Sequence, residues 1–289
     1  GVRLTSSISA ENSQHIKALD NQTALFEQAA SDLSKATELL PVSGAFGRAT
    51  KYVAEGFLAD YYMFANKPEQ AKPLLEDVLK NSGASFEPIF SNIFAADQSQ
   101  EIIFAAAFST GNDYALSYPQ TFVTVNGNLV DGYFTFTNDL LAHFEAGDLR
   151  KAATLQTGDW TSPISGKSFK AAQNEVRNIK LEKGNNGNNQ STGDLCFLRY
   201  TNMYLYYAEV LGSSTGINGW TALSIVNKVR NRAGLAPLTS VTTNDILNER
   251  RSEFVMEGQR WWDQVRTNNM GGLKATYDVP DVEMNRMGL

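Results

Sequence analysis

The stretch 249–266, ERRSEFVMEGQRWWDQVR, holds the densest set of side chains that could do chemistry. On a helix turning about 100° per residue, Arg250, Glu253, Glu257 and Arg260 follow at steps of three, four and three. They form one row of charges: plus, minus, minus, plus. Two carboxylates in one row raise the question of acid–base work such as glycoside cleavage. Glycosidases, however, set their carboxyl groups across a substrate, about 5–10 Å apart. Glutamates side by side and pinned by arginines would be held ionised and would make poor general acids. Ile246, Leu247, Phe254, Trp261 and Val265 share the same arc, so the row lies on a face meant for burial. An unpaired charge there would cost several kcal/mol, roughly, so the four must be paired. The reading is an internal ion-pair row that sets how this helix crosses its neighbours. No catalytic residue is assigned.

Metal chemistry has little to work with. The two histidines, His15 and His143, stand far apart in the chain, and Cys196 is the one cysteine. That excludes a multi-histidine site, an intrachain disulfide and a cysteine cluster, and it disfavours a Ser-His-Asp triad. The loop carboxylates lack the D-x-D-x-D-G spacing of a calcium loop. No cofactor or metal is expected.

Binding is a better prospect. Sugar rings present apolar C–H faces and a rim of hydroxyls, so their sites pair flat aromatics with planar polar groups. The irregular segments supply Tyr114, Tyr118, Tyr133 and Trp160 as platforms, with Asn112, Asp113 and Asp159 close by in sequence. Trp160 leads this set, because TGDWTSP is polar on both sides and leaves the indole little local core. The competing reading is that these aromatics pin their own loops to the scaffold. Trp220, at the opening of a helix, is assigned to packing, and the GNNGNN run at 184–189 to a surface connection.

The elements that must position these residues are mostly helical. Leu25, Ala29, Leu33, Ala36 and Leu40 recur at helical spacing, and Pro41 and Gly44 end that helix. Residues about 50–81 read as two helices around ANKPEQ, with Pro68 opening the second. Leu58, Ala59 and Tyr62, then Ala71, Leu75 and Val78, fit the tetratricopeptide pattern, in which small residues allow close approach and larger ones fill the seam. A second such pair spans about 199–233, with Ala208 and Leu211 facing Ala222, Val226 and Val229, and Gly234 as a C-cap. Thr242 and Asp245 form a capping box ahead of the charged row, and Gly258 marks a break or a close approach. Trp261 and Trp262 are adjacent and point apart, so at least one is assigned to the core. IIFAAAF at 102–108 suits a buried strand or helix, TFVTV a strand, and NDLLAHFEAGD at 138–148 a helix. The rest of about 109–194 reads as loops with a hairpin or two, the loop-rich ligand region of a single domain covering 1–289. The fold class is mainly all-α: tetratricopeptide-like helix pairs carrying long irregular loops and a few short strands.

Bulk properties agree. A hydrophobic fraction of 42% supports a real core, and the net charge of −6 argues against nucleic acid or an anionic membrane surface as partners. No apolar run approaches the roughly 20 residues that span a bilayer.

With the elements placed, the 249–266 block resembles the signature of the SusD/RagB family. Glu249-Arg250, Glu253-Phe254, Glu257-Gly258, Arg260, Trp262-Asp263 and Arg266 carry the likeness. LRYTNMYLYYAEVLG, VNKVRNRAGL, DLSKATELLP, EIIFAAAF, FEAGDLR and the closing VPDVEMNRMGL are similar in order and spacing. The resemblance implies a non-catalytic, surface-exposed outer-membrane lipoprotein of Bacteroidetes-type bacteria. It would bind oligosaccharide or polysaccharide, sometimes peptide, and pass it to a SusC-like TonB-dependent transporter. Family members are usually longer and start from a lipidated cysteine, so the chain is expected to be an N-terminally incomplete, processed or trimmed form. Cys196 is not that anchor, and membrane association would run only through a lipid anchor absent from this chain. Two other readings stay open: an all-helical glycoside hydrolase, which needs two acids on different elements flanking an aromatic cleft, and a tetratricopeptide adaptor gripping a protein.

Overall fold

In the computed structural model, residues 22–95, 98–107, 122–125, 128–132, 136–157, 159–161, 168–169, 176–180 and 194–268 are described. The helices are α1 (Gln22–Leu39), α2 (Lys51–Phe64), α3 (Pro68–Asn81), α4 (Asn92–Ala95), α5 (Asn138–His143), α6 (Leu149–Thr154), α7 (Tyr200–Leu211), α8 (Ala222–Arg232), α9 (Thr243–Glu253) and α10 (Gln259–Arg266). The strands are β1 (Ile102–Ala106), β2 (Phe122–Val125), β3 (Asn128–Gly132), β4 (Leu155–Thr157), β5 (Trp160–Thr161), β6 (Ser168–Phe169), β7 (Val176–Asn178) and β8 (Leu195–Arg199).

Local chemistry starts the helices where the sequence implies. The Thr50 hydroxyl accepts from the Val53 amide to cap α2, and Pro68 opens α3. Capping boxes of Thr221 with Ser224 and Thr242 with Asp245 start α8 and α9. The helix expected over 138–148 is shorter, and a separate helix begins just beyond that span. Phe144 turns to extended backbone and ends α5, and Asp148 accepts from the Arg150 amide to start α6.

Tertiary order runs α1 on α2, α2 on α3, α3 on α7 and α7 on α8. The two helix pairs are therefore neighbours in space, although the whole irregular region separates them in sequence. Their seam is the main core, where Ala59, Ala71, Leu75, Val78, Leu205, Ala208, Val226 and Val229 are fully buried. α7 runs through its middle and buries Tyr204, Tyr206 and Tyr207. Trp220 packs edge-on to Tyr204, with ring centroids 5.0 Å apart.

IIFAAAF resolves as a strand. β1 pairs antiparallel with β8, setting Ile102 opposite Arg199 and Ala105 opposite Cys196. The chain thus leaves the helices through β1 for the irregular region and returns beside it through β8. Within that region β2 pairs with β3, and the β5–β6 ribbon is nested inside the β4–β7 ribbon.

The long helix implied by the charged row is interrupted. α9 ends at Glu253, Met256 adopts φ +65° and Gly258 φ +75°, and α10 starts afresh at Gln259. A Cβ built on Gly258 would meet nothing within 4 Å, so the glycine serves the left-handed backbone and not a close approach. The break also redirects the tryptophans. Trp262 is 51% exposed with its ring edge-on to Phe64 of α2, Trp261 is 36% exposed, and neither is a core residue.

Candidate functional site

The charged row is buried, but its pairs differ from those implied by one continuous helix. Glu253, completely buried, accepts from Arg199 at 2.8 Å, from Arg150 at 3.2 Å and from Arg232. Glu257 accepts from Arg199 Nε at 2.7 Å and from Lys180 at 2.5 Å. Neither glutamate is paired with Arg250 or Arg260. Arg250 turns the other way, to Asp263 at 2.8 Å and to the Asn202 side chain at 2.8 Å. Arg260, half-buried on the new helix, makes no ion pair among the described residues. The left-handed turn at 256–258 takes Glu257 and Arg260 out of the row, while Arg250 and Glu253, still on one helix, turn to different partners.

Two buried charge clusters result, and the Phe254 ring lies between them, 4.3 Å from the Arg199 guanidinium and 5.0 Å from that of Arg250. The first joins Glu101, Asp148, Glu249, Glu253 and Glu257 to Arg150, Lys180, Arg199, Arg230 and Arg232, and Arg230 carries it outward to the exposed Glu145 at 2.6 Å. Arg199 is its hub, donating to Glu101 at 2.6 Å and to the Glu253 carbonyl at 3.1 Å besides its two glutamate pairs on 253 and 257. Arg150 is gripped by Asp148 through Nε at 2.9 Å and Nη2 at 2.7 Å, so one aspartate caps α6 and orients its arginine. The Lys180 ammonium donates to the Glu253 and Val255 carbonyls, each at 3.0 Å, and lies 4.7 Å from the Phe94 ring centroid. The second cluster sets Arg250 and Arg266 against Asp263 and Glu209. Arg266 and Glu209 form a two-point pair at 2.8 and 2.7 Å, and the Arg250 guanidinium lies 4.0 Å from the Tyr206 ring centroid.

Within the first cluster the electrostatics favour the ionised form at Glu253 and Glu257, whereas burial raises the Glu249 carboxyl. Burial works to raise the Glu253 carboxyl, but the charges of Arg232, Arg199, Arg150 and Lys180 outweigh it and hold it at about 2. Glu257 is likewise lowered, burial opposing and Arg199 and Lys180 prevailing. A carboxylate so placed has no proton to give a substrate near neutral pH.

What the cluster does mechanically follows from where its members sit. Glu101 precedes β1, Arg199 ends β8, Arg150 lies on α6 and Lys180 stands two residues after β7. Glu101 and Arg199 stand at the two ends of the irregular region and Arg150 and Lys180 within it; Arg150, Lys180 and Arg199 bond to α9 directly, and Glu101 joins them through Arg199. Sequence reasoning missed these partners, because each lies far along the chain from the row. The available signal was a charge beside an apolar run: Glu101 before IIFAAAF, and Arg199 within LCFLRY.

Of the residues proposed to hold a ligand, Tyr114, Tyr118, Tyr133, Asn112 and Asp113 lie outside the described residues. The backbone of Trp160 stands in β5 opposite Phe169, and Asp159 beside it is exposed. Among the described residues no group of three or more His, Cys, Asp or Glu could hold a metal ion, and no helix is long and apolar enough to cross a membrane.

Comparison with known proteins places this architecture. Residues 150–286 match the family model described as the SusD family. The chain is 26% identical over 287 residues to a SusD-like protein of Bacteroides ovatus, an alignment covering 86% of this chain and 52% of the relative. A structure solved with a xylogluco-oligosaccharide superposes with a TM-score of 0.71 at 24% identity, over 90% of this chain and 60% of the other. Surface glycan-binding protein A of Bacteroides thetaiotaomicron, in complex with laminarihexaose, superposes with a TM-score of 0.69 at 22% identity, over 86% and 62%. The mainly helical fold is the one these neighbours share. The chain spans about half to three fifths of the length of the proteins it matches.

Proposed function

We propose that this chain is part of a non-catalytic glycan-binding protein of the bacterial outer-membrane surface, one that captures oligosaccharide for a SusC-like TonB-dependent transporter. The observation that carries the reading is the position of the acids. The glutamates of its most family-like stretch are buried and neutralised by arginine and lysine, where they tie the irregular region to the helical scaffold. Ligand capture then falls to the region about 109–194, with Trp160 its leading residue. Two neighbours of the same fold carry different oligosaccharides, which supports the ligand class without choosing among sugars. Surface exposure and a lipid anchor in a full-length precursor belong to the same proposal.

The test is a thermal melt of the protein with laminarihexaose and with a xylogluco-oligosaccharide, followed by chromatography of each mixture. The expected result is a raised melting temperature and intact sugar. Shorter products in the chromatogram would overturn the non-catalytic assignment. The absence of any shift with either sugar would count against glycan binding.

A further inference from the structure

A cavity of about 320 Å³ opens between the α1–α2 connection and the start of β1. Its size is at the lower end of small-ligand pockets, which run from about 300 to 1,000 Å³. Phe46, Arg48 and Thr50 line it from the α1–α2 connection, Tyr52 from α2, and Ser82 and Gln100 from the stretch joining α3 to β1. The wall is seated firmly. Gly47 adopts φ +77°, and a Cβ there would lie 3.3 Å from the Ala105 carbonyl oxygen, so the connection rests directly on β1.

Its charge is unlike that of the rest of the molecule. The chain has 31 acidic residues against 25 basic ones, yet no aspartate or glutamate is among the described residues lining this cavity. Arg48 is exposed there and makes no ion pair among the described residues, whereas Arg150, Arg199, Arg232, Arg250 and Arg266 all grip carboxylates. The nearby charges are engaged elsewhere. Lys51, 5.3 Å from the Tyr52 ring centroid, is held by Asp77 at 2.6 Å and Glu55 at 3.2 Å. Glu87 accepts from the Gln100 amide at 3.2 Å and does not line the cavity. The N-terminal end of the 14-residue α2 adds positive potential at the same wall.

A free guanidinium is a planar fork for a carboxylate or a sulfate. Rings at Tyr52 and Phe46 suit the apolar face of a pyranose, and the hydroxyls of Thr50 and Ser82 suit its rim. We infer that this cavity is a subsite for an acidic sugar, with the anionic group on Arg48 and the ring against Tyr52 and Phe46. The inference rests on the glycan-binding reading above and adds to it a site outside the irregular region and a charge on the ligand.

The experiment is calorimetric titration of the chain with tetragalacturonate, with a sulfated carrageenan tetrasaccharide and with laminarihexaose, for wild type, Arg48→Gln and Ser43→Trp. Arg48 and Ser43 are both exposed, so neither change disturbs the core. At least one acidic sugar should bind, and Arg48→Gln should weaken it about tenfold or more, the size of one lost charge-assisted hydrogen-bonded pair. Ser43→Trp, which plugs the cavity, should abolish it. Laminarihexaose should bind both variants as it binds wild type. The carboxylated and sulfated arms decide which anion the site takes. Acidic sugar bound equally well by Arg48→Gln, or no acidic sugar bound at all, overturns the subsite. If laminarihexaose still binds in that case, the general glycan-binding reading survives; if nothing binds, both fall.

Discussion

The Arg199 guanidinium donates to the Glu253 carboxylate at 2.8 Å and so joins the last residue of β8 to the last residue of α9. Both side chains are removed from water, where a charge survives only with partners. Arg199→Met would leave Glu101, Glu253 and Glu257 each short of a donor. The expected loss is about 3–5 kcal/mol in the unfolding free energy, read from the denaturant midpoint. Changing Arg199 and Glu253 together to methionine should cost less than the sum of the two single changes, because neither then strands the other. A loss in Arg199→Met within about 0.5 kcal/mol, as for an ordinary surface site, would remove the cluster from any bracing role.

The same cluster sets an acid limit. The folded carboxyl of Glu253 sits at about 2, below its ordinary value of 4.5, so the folded state binds fewer protons than the unfolded chain between those values. Its contribution is therefore complete above the ordinary carboxylate range and is lost as pH falls toward 2. Glu257, also lowered, acts in the same direction. Urea unfolding at pH 7 and pH 3 should show a marked drop in wild type and a smaller one in Glu253→Gln. Equal drops in the two proteins would place the acid sensitivity elsewhere.

How far this arrangement could be read from the sequence depends on distance along the chain. Thr242 with Asp245, Pro68 at a helix start and Gly234 past a helix end act within one turn, and local spacing exposes them. Burial of Glu253 was also legible, since Phe254 and Ile246 mark its face as apolar. Its partners were not, because Arg150 and Glu253 are brought together only when α6 packs on α9. Nor was the break after Glu253. Gly258 signals it, but Met256 adopts φ +65° without any composition cue, and a wheel drawn through that turn pairs the wrong charges. The exposure of Trp262 follows from the same break.

Gly56 offers a test of packing instead of charge. It is buried on α2, and a Cβ at this position would stand 2.3 Å from Leu198 Cδ2 of β8. Leu198 is itself 2% exposed and has little room to yield. Gly56→Ala gains helix propensity but must push the β1–β8 ribbon away from α2. A net destabilisation of about 1–3 kcal/mol is expected, seen as a lowered melting temperature. Leu198→Ala combined with Gly56→Ala should recover part of the packing conflict. If Gly56→Ala alone melts at or above the wild-type temperature, α2 and β8 are less closely packed than described.

The remaining prediction concerns Trp160 and the proposed glycan site. Its backbone lies in β5, opposite Phe169, on the inner of two nested ribbons. The outer ribbon is rooted by Lys180, which follows β7 and is bound to the Glu253 carbonyl at the end of α9 and to the Val255 carbonyl and Glu257 in the turn after it. An aromatic carried on so short a ribbon can serve as a sugar platform only if its base is held still, and the charge cluster holds that base. Trp160→Ala should weaken oligosaccharide binding by about 1 kcal/mol or more, roughly the worth of one ring contact. The melting temperature of the free protein should stay within a degree or two, as for changes of about 0.5 kcal/mol at surface sites. Trp160→Phe, which keeps a flat ring, should retain much of the affinity. Calorimetry on the three proteins decides it: unaltered affinity in Trp160→Ala takes this residue out of the site, and a large fall in melting temperature marks it as a loop anchor instead.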